Sequence, residues 1–117
     1  MAACTIKFEF ELSSNASFLA PKVAVWLDHD ANDLLNEDEQ LTAAASEAAP
    51  LKFVAESKLL DEDKTRGVLF YIKYLAAVGA EWTLTVTKQV GEHDEVLLHD
   101  SGPVGYRPSF IAGRLRK

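Results

Sequence analysis

The sequence predicts an all-β protein, an antiparallel β-sandwich of about six or seven strands with at most one short helix. Three observations predict it. Polar and apolar residues alternate over 5–12, 22–28 and 82–90, and 68–75 is apolar on both of its faces. A period of two belongs to strands. Turn-forming clusters of Gly, Pro, Asn, Asp and Ser separate these stretches. Strands do not alternate with helical segments, as a parallel α/β sheet would require. A chain of 117 residues is long enough for one domain, 1–117, with its own apolar core.

In Thr5 to Leu12, Ile6, Phe8, Phe10 and Leu12 share one face and Lys7, Glu9 and Glu11 the other. Ser13, Ser14 and Asn15 then form a loop. Lys22 to Asp28 is the next strand, with Val23, Val25 and Leu27 against Ala24 and Trp26. It follows Pro21 and is β-branched and aromatic, so a strand, not a helix, leads into the acidic run after it. Gln40 to Ala49 is rich in Ala and reads as a short helix stopping before Pro50, or as an irregular crossing segment. Leu51 to Leu60 is a weaker strand, and Asp61 to Gly67 a polar turn.

Val68 to Leu75 is apolar on both faces, which marks a central or covered strand. Val78, Gly79 and Ala80 turn the chain into Trp82 to Val90. Gly91 to Asp94 has the length of a hairpin loop, with Glu95 to His99 returning beside it. Ser101, Gly102 and Pro103 are expected to break that strand, and Val104 to Lys117 either adds a late strand around Ser109 to Ala112 or frays.

The run from Asp28 to Glu39 holds the chemistry. It is twelve residues long, with oxygen side chains at its first, third and fifth positions, Asp28, Asp30 and Asn32. Leu34, at the seventh, supplies a backbone carbonyl, and Glu39 closes the twelfth. This is the ligand spacing of an EF-hand calcium loop: a hard cation takes six to eight oxygens in a flexible shell, and the last carboxylate can give two. The sixth position departs from the pattern, with Asp33 where Gly normally makes the sharp turn. Asp enters the left-handed region more readily than most residues.

Charge singles out the same segment. The chain carries 18 acids against 12 bases, for a net charge of −6. Six of the acids, Asp28, Asp30, Asp33, Glu37, Asp38 and Glu39, lie in the loop, so the rest of the chain is balanced. The competing reading is a solvated acidic turn. Asp61 and Asp63 are two further carboxylates for the same neighbourhood.

The acidic balance gives nucleic-acid binding no electrostatic support. No apolar run approaches the ~20 residues of a membrane span. The N-terminus lacks the basic and apolar regions of a signal peptide, which leaves a cytoplasmic protein or an exported one without its leader. Glycine-rich phosphate loops, nucleophile elbows and zinc-protease helices are all missing, so no enzyme is expected. Cys4 reads as a loosely held thiol near a terminus. His29, His93 and His99 are too scattered for zinc. Trp26 and Trp82 read as sandwich core, with a carbohydrate-stacking face as the alternative.

Residues 23–40, V-A-V-W-L-D-H-D-A-N-D-L-L-N-E-D-E-Q, resemble the W-x-D-x-N/D-x-D/N-G-x-x-x-x-x-E segment of calcium-binding β-sandwich modules of bacterial surface and secreted proteins, the GEVED and B-repeat types. In those modules the Trp closes a strand and the oxygen ligands follow. The matching positions are Trp26, Asp28, Asp30, Asn32 and Glu39, in a run of less than a fifth of the chain. The resemblance implies one Ca2+ in the loop and a non-enzymatic role in adhesion or partner binding, the partner being protein or carbohydrate. Two rival expectations remain. One is a calcium-independent interaction module whose acidic loop meets a basic partner. The other is an accessory domain that contacts an enzyme's substrate or carbohydrate.

Overall fold

Among the described residues, nine antiparallel strands form two facing sheets. The structure, a computed structural model, describes residues 3–13, 22–28, 39–46, 48–61, 67–76, 78–105 and 109–115. The strands are β1 (Ala3–Leu12), β2 (Lys22–Leu27), β3 (Gln40–Leu41), β4 (Ala44–Ser46), β5 (Ala49–Asp61), β6 (Leu69–Leu75), β7 (Glu81–Val90), β8 (His93–Pro103) and β9 (Ser109–Arg114). One sheet runs β4-β5-β1-β7-β8 and the other β3-β2-β6-β9. Among the described residues no helix is long and apolar enough to cross a membrane.

The alternation in the sequence becomes the core. Ile6, Phe8, Phe10 and Leu12 of β1 and Trp82, Leu84 and Val86 of β7 face Val25 and Leu27 of β2 and Phe70, Ile72 and Tyr74 of β6, and all are buried. Aromatic rings join the sheets. Phe8 meets Phe70 at 5.7 Å, and Phe10 meets Tyr74 at 5.2 Å. Phe10 also stacks on its neighbour Trp82 at 6.0 Å. Tilted and offset pairs of this kind add to the area they bury.

Gln40 to Ala49 is not a helix. Leu41 pairs with Val25, and Ala44 and Ala45 pair with Val54 and Phe53. Between the two short strands, Thr42 and Ala43 carry the chain from one sheet to the other. The helical preference of Ala is worth only a fraction of a kcal/mol per residue, and pairing at both sheet edges overrides it. These two short strands raise the number from the expected six or seven to nine.

Strand β8 also runs past its expected end, to Pro103 opposite Glu81. It is an edge strand, where Pro need not donate to a neighbour. A register shift opposite Val86 and Thr87 leaves Leu97 as the extra residue, and its side chain is buried in the core. Strand β6 is central, between β2 and β9, as its apolar character predicts. Cys4 is not a loose thiol; it pairs with Leu60 and is buried on the core face of β1.

Candidate metal centre

The acidic segment joins β2 to β3, which pair antiparallel through Val25–Leu41 and Trp26–Gln40. Extending that register by one step sets Glu39 beside Leu27, the residue before Asp28. The first and twelfth loop positions therefore meet at the neck of one hairpin. The neck is held to the sheet by the Asp28 N–H, which donates to the Leu69 carbonyl at 3.0 Å. Just before β6, the Val68 carbonyl accepts from the Leu115 N–H at 2.9 Å. The loop thus leaves from a fixed frame.

Both end carboxylates are buried. Asp28 is 0% exposed and Glu39 1%. A carboxylate taken out of water costs several kcal/mol unless another group compensates it. Charges in such a place are hydrogen-bonded, paired or bound to a cation. The predicted donor set is all oxygen: three carboxylates, an amide and a carbonyl. That is hard-cation chemistry and suits Ca2+ better than a softer metal.

Asp30, Asn32 and Leu34, the middle ligands expected from the spacing, lie outside the described residues, as do Asp33, Glu37, Asp38 and His29. Asp63 does too, while Asp61 ends β5 opposite Ala3. Among the described residues no three of His, Cys, Asp and Glu gather at one point. His93 and His99 are exposed on β8, and the His99 Nδ1 lies 2.9 Å from the Thr85 hydroxyl.

The two tryptophans part company. Trp82 is in the core, but Trp26 stands on the outer face of β2, edge-on to Tyr71 at 5.5 Å. No family model matches the chain, and no curated protein or solved structure does either.

Proposed function

We propose that the chain is a non-enzymatic calcium-binding β-sandwich module that holds one Ca2+ in the loop 28–39 and uses the ordered loop for adhesion or partner binding. The observation that carries this reading is the burial of Asp28 and Glu39 at the neck of a β-hairpin. A solvated acidic turn leaves its carboxylates in water, whereas a coordination site draws its first and last ligands inward. The spacing of Asp28, Asp30, Asn32, Leu34 and Glu39 and the resemblance of 23–40 to calcium loops that follow a strand ending in Trp support it further.

In this reading Asp28 and Glu39 form the base of the site. Asp30 and Asn32 add side-chain oxygens, and Leu34 adds its carbonyl. The ion offsets the repulsion among six carboxylates, so the loop takes one shape when it is bound. The test is a melting curve of metal-stripped protein with and without added calcium. A ligand bound by the native state alone stabilises it by about 2.7 kcal/mol at a hundredfold over Kd. For a domain of this size that is a rise of roughly 10 °C in Tm. A melting temperature indifferent to calcium rules the proposal out.

A further inference from the structure

The two outer faces of the sandwich differ. On the five-stranded sheet the outer face is mostly polar: Lys7, Glu9, Thr83 and Thr85 are half-buried there, Glu9 is bridged to Lys52 at 2.7 Å, and the exposed apolar Val96 stands on the edge strand β8. It needs no cover. The outer face of the four-stranded sheet carries a row of three aromatic rings across β2, β6 and β9. Trp26 meets Tyr71 at 5.5 Å, and Tyr71 lies nearly parallel to Phe110 at 5.4 Å, with 21° between their planes. Phe110 is 65% exposed. An exposed ring on a sheet face gains nothing for folding from its exposed area, so the fold alone does not account for it.

Charge narrows the choice of ligand. Alongside the row, Lys22 and Lys73 flank a shallow hollow of about 300 Å³ whose floor includes Ala24 and Leu75. Neither lysine makes an ion pair among the described residues. The outward positions of β2, β3, β6 and β9 hold no carboxylate, in a chain whose net charge is −6. Flat ring faces beside two unpaired ammonium groups match a ligand with flat apolar faces and sparse negative charge. The pyranose rings of an acidic sugar chain have that chemistry: their C–H faces stack on aromatic rings, and their anionic groups meet lysine. A polyphosphate strand fits less well. The acidic run begins at Asp28, only two residues after Trp26, and its charge disfavours a densely anionic partner more than a sparsely charged one.

We infer that the outer face of the four-stranded sheet binds an anionic oligosaccharide, stacked along Trp26, Tyr71 and Phe110 and held through its carboxylate or sulfate groups by Lys22 and Lys73. None of these residues belongs to the loop 28–39, so this site and the calcium site stand or fall separately. Isothermal titration compares cellotetraose with its C6-carboxylated and C6-sulfated counterparts, which share one backbone. An oligothymidylate and an oligoglutamate peptide represent the rival occupants. One or both charged tetrasaccharides should bind at least tenfold more tightly than cellotetraose, and which one binds identifies the anionic group. Phe110→Ala and the double variant K22Q/K73Q should each weaken binding at least tenfold, with circular dichroism and Tm showing the fold intact. Absence of binding by both charged tetrasaccharides overturns the inference. So does tighter binding of the thymidylate or the peptide, or an affinity unchanged by Phe110→Ala.

Discussion

Gly102 lies directly opposite Trp82 in the β7–β8 ladder, and the indole leans across the place where a side chain would stand. A Cβ built on Gly102 would come within 2.8 Å of the ring. The same device recurs on the other sheet, where Phe70 covers its partner Gly113 and a Cβ there would lie 3.1 Å from the ring. In both places an aromatic ring on a central strand closes over a glycine on an edge strand, shielding backbone that has no side chain of its own.

Gly102→Ala therefore forces Trp82 out of its place beside Phe10 and Tyr74. The expected cost is about 1–3 kcal/mol, the usual range for overpacking. Gly113→Ala should cost less, because its contact is looser. Denaturant unfolding of both variants checks the order. An equal or reversed effect contradicts this account of the two glycines.

The half-buried pair Glu9–Lys52 gives a pH signature. The hydrogen bond from Lys52 holds the Glu9 carboxyl below its ordinary value of 4.5, against a smaller opposing effect of burial. The bond also raises the Lys52 ammonium above its usual 10.5. Because the folded Glu9 value is depressed, its contribution to stability is present above the unfolded value and is lost as pH falls through the folded one. The Lys52 contribution has the opposite sense and is lost at alkaline pH, as pH rises through the raised value. Carboxyl NMR should place the Glu9 titration below 4.5 and, in Lys52→Gln, move it upward. No movement would mean that the bridge does not form in solution.

The sandwich itself was legible in the sequence because alternation is a local signal. Residues 5–12 and 82–90 could be read as strands with inward faces from their side chains alone. The failures came where partners distant in sequence decide. Ala44 and Ala45 have no alternation to show, and only Val54 and Phe53 across the sheet make them a strand. Ser101 to Pro103 reads locally as a breaker, yet an edge position and Trp82 opposite carry the strand through. At the candidate site, spacing pointed to Asp28 and Glu39, but their burial depends on the hairpin neck and could not be read from spacing. The outer row was hidden for a similar reason. An apolar β6 suggests cover on both sides, and only the register reveals that Tyr71 meets Phe110 in the open.

Selectivity among cations is a further test of the loop. A flexible set of carboxylates suits the seven or so loose oxygens of calcium better than the strict octahedron of magnesium, which also gives up its water reluctantly. At equal concentration calcium should raise the melting temperature well above any effect of magnesium. Equal stabilisation by both ions would indicate charge screening.

The central claim is that the loop is a coordination site with unequal positions, and melting of point variants tests it most directly. Asp28 and Glu39 are the buried first and twelfth positions. Glu37 occupies the tenth, which faces solvent in loops of this kind. Asp28→Asn and Glu39→Gln each remove one charge, as Glu37→Gln does, so the three variants weaken a diffuse acidic cloud alike. The account predicts that the first two abolish the calcium-dependent rise in melting temperature of the metal-stripped protein, while Glu37→Gln keeps most of it. If all three lose the same fraction, the loop holds cations only by its overall charge, and the calcium site proposed here is wrong.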